Sequence, residues 1–319
     1  MLTRPRLAVD FRRRQPRSFV SHAHADHMAR HQLAFATPET CQLYRHRLGK
    51  QLAVREMPYG EVIDLGELSL TSLPAGHCLG SAMLLADDGQ QRLLYTGDFK
   101  LGESLTAEPA KLPQADILVM ESTFGQPRYR MPPRQQVVTQ LLEIVQQAFQ
   151  DEVTPVIHAY ALGKSQEVTK LLTSAGVPVL QHPTVFGVSQ VYQQCGCELS
   201  TGDADVCQYQ GRPLAGHAVV TLPQSMKGFR LAGLDRLVSI GVTGWAIDAG
   251  TQYRLGVDHA LPLSDHADFD ELLETVRQVE PQTVYCTHGP REFVEHVQAI
   301  GFDARPLEPP RGQAQSRLF

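Results

Sequence analysis

The chain has 319 residues, 42% hydrophobic and 20% charged, with a net charge of −5. That apolar content is enough to bury a large core and excludes a disordered or fibrous chain, while the negative balance argues against a general nucleic-acid coat without excluding a local basic groove. No stretch approaches the ~20 apolar residues of a membrane span, and six scattered cysteines (Cys41, Cys78, Cys195, Cys197, Cys207, Cys286) with no C-x-x-C pair suggest plain, mostly buried thiols, not a disulfide scaffold or zinc ribbon.

Met1-Leu2-Thr3-Arg4-Pro5-Arg6 runs directly into strand-like sequence without a secretory apolar segment, so a cytoplasmic location with no membrane partner is expected. Next comes Ser21-His22-Ala23-His24-Ala25-Asp26-His27, an H-x-H-x-D-H motif expected in a strand-to-helix turn. Neutral imidazoles and a carboxylate are ligands for zinc or a similar divalent ion, and the spacing sends His22 and His24 one way and Asp26 and His27 another, so that one loop serves two metals. Leu68–Leu73, Ala82–Ala86 and Arg92–Tyr95 read as strands, and the apolar run Ile117-Leu118-Val119-Met120 reads as a buried strand delivering Glu121 at its end. Texture changes near residue 125. A helix over Gln136–Phe149, a strand over Thr154–Ala159, a helix from about Ser165 to Ala175 closed by Gly176, and a strand at Val177–Leu180 make an α/β unit. Near residue 263 the first texture returns, with a helix over Phe269–Val279, a strand over Thr283–Cys286 and a helix over Arg291–Ile300, before a loose Pro- and Gln-rich tail from Glu308 to Phe319.

Three further ligand types stand where strands should end: His77 in Gly76-His77-Cys78, Asp98 in Gly97-Asp98-Phe99, and His288 in Thr287-His288-Gly289. The adjacent glycines allow tight turns that aim these side chains inward.

In this order, His22-x-His24-x-Asp26-His27, His77, Asp98 and His288 resemble the ligand motifs of the metallo-β-lactamase superfamily. The resemblance implies an α/β fold, a four-layer αβ/βα sandwich, with His22, His24 and His77 on one metal, Asp26, His27 and His288 on the other, and Asp98 bridging. Asp10 resembles the family's first motif, an aspartate that orients the histidine loop. Met120-Glu121-Ser122-Thr123-Phe124-Gly125, Leu263-Ser264-Asp265-His266-Ala267-Asp268-Phe269 and Thr287-His288-Gly289 look like motifs A, B and C of the β-CASP branch, nucleases with an inserted cap. That match implies a first metallo-β-lactamase part at 1–124, a cap at 125–262 and a second part with the tail at 263–319. It makes Glu121 the support of His266 and His266 the proton donor to the leaving oxygen; a helix-capping role is the plainer alternative for His266. An unligated histidine beside a dinuclear centre suits general acid work near neutral pH.

The implied activity is hydrolysis of a phosphodiester by a metal-bridging hydroxide, with two divalent ions, zinc by default and manganese acceptable. Within the branch the chain looks closest to bacterial DNA-ligase-associated exonucleases and to relatives of messenger-RNA 3′-end processing nucleases. Its compact cap favours single-stranded DNA end trimming in repair, beside a DNA ligase or helicase. An RNA-processing nuclease is the alternative, followed by a non-catalytic scaffold or a small-molecule hydrolase. Lys164, at a helix start, is either a phosphate holder or a solvated charge. Arg128, Arg130, Arg134, Lys227 and Arg230 are candidates for a groove. Trp245, the lone tryptophan, reads as core or interdomain packing before base stacking.

Overall fold

The computed structural model describes residues 6–223, 232–234 and 236–307. Its first part runs β1 (Ala8–Val9), β2 (Arg17–Phe19), β3 (Leu33–Ala36), α1 (Pro38–Leu48), β4 (Val54–Glu56), β5 (Val62–Asp64), β6 (Ser69–Pro74), β7 (Ala82–Asp87), β8 (Arg92–Tyr95) and β9 (Ile117–Glu121). Then come α2 (Arg134–Gln150), β10 (Thr154–His158), α3 (Lys164–Ser174), β11 (Val179–Gln181), α4 (Pro183–Gln194), β12 (Val206–Gln208), β13 (Ala218–Thr221), β14 (Leu237–Val242), α5 (Thr251–Leu255) and β15 (His259–Leu261). The chain closes with α6 (Phe269–Val279), β16 (Thr283–Thr287), α7 (Glu292–Ala299) and β17 (Asp303–Pro306). The tail from Glu308, and with it Lys227 and Arg230, lies outside the described residues.

The described residues form three sheets. The first is β1-β2-β3-β4, all parallel; the second is β17-β16-β9-β8-β7-β6-β5, parallel from β17 to β8 and antiparallel beyond. Their facing sides share one core, in which Leu7, Phe19 and Phe35 meet Leu70, Ala82 and Leu84. The outer face of the second sheet packs Met83, Leu118, Met120 and Val284 against Phe269, Leu272 and Val276 of α6 and Phe293 and Val297 of α7. The outer side of the first sheet is covered by Cys41, Leu43 and Tyr44 of α1. Helix, sheet, sheet, helix is the four-layer αβ/βα sandwich. The third sheet, β12-β11-β13-β10-β14-β15, is wholly parallel and packs on α2 and α3; α4 joins it to the first body through Val188, Val191 and Tyr192 against α1. Fully burying one such leucine or valine stabilises by about 1.5–3 kcal/mol, so these shared cores fix how the sheets meet.

The elements follow local chemistry. Asp268 caps α6, its Oδ1 accepting from Asp270 N (3.0 Å) and Glu271 N (2.9 Å) while Glu271 Oε2 accepts from Asp268 N, a capping box worth about 1 kcal/mol. α6 has the bounds its periodicity predicts, and α2 begins two residues ahead of the predicted start. The H-x-H-x-D-H segment differs from expectation. It leads to β3, not to a helix, because Ser21 N donates to Asp10 and His27 N closes a turn on His24 O, committing the loop's polar atoms to the site. Only Cys41, Cys78 and Cys286 are buried; Cys207 is exposed, and all six thiols are free. Among the described residues no helix is long and apolar enough to cross a membrane.

Candidate metal centre

Loops at the ends of β1, β2, β6, β8, β9 and β16 converge on one spot. Close backbone approach makes this possible at two glycines. A Cβ on Gly97, which has φ +57, would lie 2.8 Å from Ser21 Cβ, and one on Gly289 would lie 1.8 Å from Ser122 O. Gly97 thereby lets Asp98 reach the histidine loop, and Gly289 lets the strand end carrying His288 pass against the one carrying Glu121.

Asp10, at φ 48, is the hub behind the loop. Its Oδ1 accepts from Ser21 N (2.8 Å), and its Oδ2 accepts from Ser21 Oγ (2.6 Å), Tyr95 Oη (2.8 Å) and His27 Nδ1 (2.9 Å). Ser21 Oγ, already donating to Asp10, accepts from His22 Nδ1 at 2.9 Å. His24 Nε2 donates to Leu162 O (3.1 Å), and His77 Nδ1 donates to Asp265 O (2.8 Å). Each ring is thus pinned by one nitrogen, leaving a bare lone pair on His22 Nε2, His24 Nδ1 and His77 Nε2.

Those three lone pairs face one another. His24 Nδ1 is 3.1 Å from both His22 Nε2 and His77 Nε2, and Asp98 Oδ2 is 3.5 Å from His22 Nε2. With their protons committed elsewhere, these nitrogens cannot hydrogen-bond to each other, and the contact is repulsive unless a cation sits among them. Zinc–imidazole bonds of 2.0–2.1 Å in a tetrahedron put ligand nitrogens roughly 3.3–3.4 Å apart, close to what is found. The donor set therefore fits a divalent ion. Burial, followed by the neighbouring imidazoles, holds His22 well below its ordinary pKa; burial and His77 lower His24 to about 4; burial and His266 lower His77. All three are kept neutral, as ligation requires.

A second group, His27, Asp98 and His288, shares Asp98 with the first. His27 Nε2 lies 3.2 Å from Asp98 Oδ2. Burial works against charge on Asp98, yet the His27 imidazole beside it holds the carboxyl well below its usual range. Asp26 is placed differently: its Oδ2 is 3.7 Å from His27 Nε2 and 3.8 Å from the Arg12 guanidinium, and its side chain is 41% exposed. Asp26 belongs to none of the tight donor groups among the described residues.

Beside both groups stands His266. Its Nδ1 donates to Glu121 at 2.9 Å (Oε1) and 3.2 Å (Oε2), and Glu121 is itself held by Phe99 N and Thr123 Oγ1. Burial disfavours the charged ring, but the Glu121 carboxylate outweighs it and lifts His266 to about 10. Helix capping is not its role, since the N-cap is Asp268.

Several side chains differ from their sequence reading. Lys164 is buried, neither solvated nor open to a phosphate, with Nζ 3.4 Å from Asp265 Oδ1. Lys100, unremarked in the sequence, donates from Nζ to Ser264 O at 2.8 Å; burial and then Lys164 lower it to about 8. Arg134 pairs with the buried Glu167 and is largely covered; Arg130, paired with Asp270, and Arg128, paired with Asp248, both stay more than half exposed. Trp245 packs on Phe124 as expected yet stays 39% exposed. Apart from Asp265, which lies within a recognised motif, the tethers to His24 and His77 carry no sequence signal, because backbone carbonyls supply them.

Comparison with known proteins bears on the fold and family. A family profile described as "Beta-lactamase superfamily domain" matches residues 14–159, and one described as "Zn-dependent metallo-hydrolase RNA specificity domain" matches residues 254–305. The chain is 38% identical over 293 residues to "Probable DNA ligase" of Opitutus terrae, covering 91% of this chain and 28% of that protein. It is 27% identical over 274 residues to "5' exonuclease Apollo" of Gallus gallus, covering 83% and 57%. The chain thus spans little more than half, or less, of these relatives. A solved structure of a protein of unknown function from Enterococcus faecalis V583 superposes with a TM-score of 0.60 at 15% identity, covering 93% of this chain and 80% of that one, and shares the fold. With the profiles falling on the two sequence segments that build the sandwich and its donor loops, the chain belongs to the metallo-β-lactamase superfamily, in its β-CASP branch.

Proposed function

We propose that this chain is a metal-dependent phosphodiesterase that cleaves single-stranded nucleic acid in the cytoplasm, with DNA ends in repair as its substrate. The observation that carries the reading is the Glu121–His266 pair standing beside two donor groups that share Asp98. In this proposal His22, His24 and His77 would hold one ion, Asp26, His27 and His288 the other, and Asp98 would serve both. Bound there, a pair of divalent cations, zinc or manganese, supplies Lewis acidity that activates water and offsets charge on a phosphodiester.

The chain's own residues do the rest. Asp10, through Ser21 and directly through His27, keeps the ring nitrogens aimed inward. Glu121 accepts from His266 Nδ1 and stabilises the imidazolium, leaving the Nε2 proton for the departing oxygen. Residues 125–262 form the cap in this proposal, and its Leu162 carbonyl orients His24, so cap and centre depend on each other.

RNA is the second reading, favoured by the description of the profile that matches residues 254–305. A DNA ligase partner is suggested by the name of the Opitutus terrae relative. The deciding experiment is digestion of matched single-stranded DNA and RNA, labelled at either end, by metal-loaded protein with a chelator control. Metal-dependent laddering of DNA alone supports end trimming and gives its polarity; cleavage of RNA alone moves the protein to RNA processing. Cleavage of neither, with two metals bound, returns a scaffold or a small-molecule hydrolase.

A further inference from the structure

Trp245 is the one tryptophan of the chain, and it sits half-exposed at the edge of the candidate site. Phe124 connects them: its ring lies 4.7 Å from that of Trp245 and 6.1 Å from that of His266. The mount is rigid. Thr251 Oγ1 donates to Trp245 O at 2.7 Å, Trp245 N donates to Thr243 Oγ1 at 3.4 Å, and a Cβ on the preceding Gly244 would strike Phe124 at 2.6 Å. Tyr129 meets the indole edge to face at 5.5 Å, so Phe124 and Tyr129 brace the ring while 39% of the residue stays exposed.

Charge favours an anionic strand at this place. Arg128 and Arg254, both more than half exposed, lie 4.0 and 3.8 Å from the single carboxylate of Asp248, which leaves the trio net positive. Arg128 also lies over the Tyr129 ring at 4.7 Å. A fixed, half-exposed aromatic next to guanidinium groups is the pattern by which single strands are held, bases on the ring and phosphates on the cations.

We infer that the open face of Trp245 is a stacking platform for a nucleobase of the strand being cut, on the side of the scissile bond that His266 faces. This rests on the nuclease reading above and deepens it, because the base stacked there belongs to the leaving side of the bond. The platform accepts any base, since each has a π face.

The single tryptophan makes the test direct. Metal-loaded protein is mixed rapidly with a single-stranded oligonucleotide, and with a series in which one abasic residue is moved along the strand. Quenching of Trp245 emission before cleavage is expected with the intact strand and is lost for one abasic position beside the cleaved bond. At that position wild-type kcat/KM should fall roughly 5- to 150-fold. Trp245→Leu, which keeps an apolar side chain on Phe124, should shrink the intact-to-abasic ratio toward one, with Trp245→Phe intermediate. Because the ratio is taken within each protein, impaired folding of a variant does not mimic it. Wild type that cleaves intact and abasic strands equally, with no quench, overturns the platform and leaves the nuclease reading standing. Failure to cleave any oligonucleotide overturns the nuclease reading, and this inference with it.

Discussion

His24 and His288 belong to different donor groups and are held in different ways. His24, with the buried His22 and His77, belongs to a tripod in which each ring's second nitrogen is tied to a serine hydroxyl or a backbone carbonyl. His288 is exposed, sits at φ 55 and reaches the centre from the end of β16, and Asp26, 3.7 Å from His27, is shared with Arg12. A donor set already ordered in the apo protein loses little freedom on binding, whereas an open one must be ordered by the ion itself. The tripod should therefore hold its ion more tightly. Removing metal in steps with a chelator and measuring content by atomic emission should show one ion leaving well before the other, and His288→Ala should bind about one ion; simultaneous loss in both would mean the two sides are equivalent.

Asp98 joins the two halves, so its removal gives the largest effect. Asp98→Ala should lower binding on both sides and cut cleavage by at least about 10³-fold. A variant retaining two ions and wild-type rate would dissolve the shared-centre description. Next is Glu121→Gln, which leaves both proposed ligand sets intact, though Glu121 lies close to Asp98, and strips His266 of its counter-charge, with an expected loss of about 10²-fold in kcat. The pH profile separates this from simple damage. With His266 raised from its ordinary 6.5 to about 10, wild type keeps a protonated ring through neutral pH, and Glu121→Gln should pull the alkaline limb of the rate profile down toward 6.5. Stability follows the same sign. A folded pKa above the unfolded one means the Glu121–His266 contribution is whole below pH 6.5 and is lost as pH rises through about 10, so chelated wild type should lose stability across that window and the variant should not.

Much of this was legible because the chemistry resides in side chains at strand ends. His77, Asp98 and His288 follow β6, β8 and β16 with glycine beside them, and Asp10 sits where a supporting carboxylate is expected. The tethers were not legible. Leu162 O and Asp265 O hold His24 and His77 through the backbone, which any residue supplies, across 138 and 188 residues of sequence. Lys164 misleads for the converse reason: a lysine at a helix start looks solvated until folding brings Asp265 against it. α1 and α4 are not legible although Pro38 and Pro183 stand at their first turns, a helix-start signal that the short apolar runs nearby obscure.

Asp10 offers the finest probe of the difference between the two sides. It reaches His27 directly at 2.9 Å and His22 only through Ser21. Asp10→Asn preserves shape and can still accept at one oxygen, but it removes the charge that, after Asp98, raises His27 against burial, and it loosens the anchor of Tyr95. Loss of such an outer partner typically costs 10- to 100-fold in metal affinity. If the direct bond matters more than the relayed one, the weaker site should bear nearly all of that loss and the tripod almost none, as isothermal titration with zinc would resolve. Equal weakening at both sites would mean that Asp10 stabilises the loop as a unit, and the asymmetry would then come from the cap-side Leu162 tether and the Asp265 carbonyl alone.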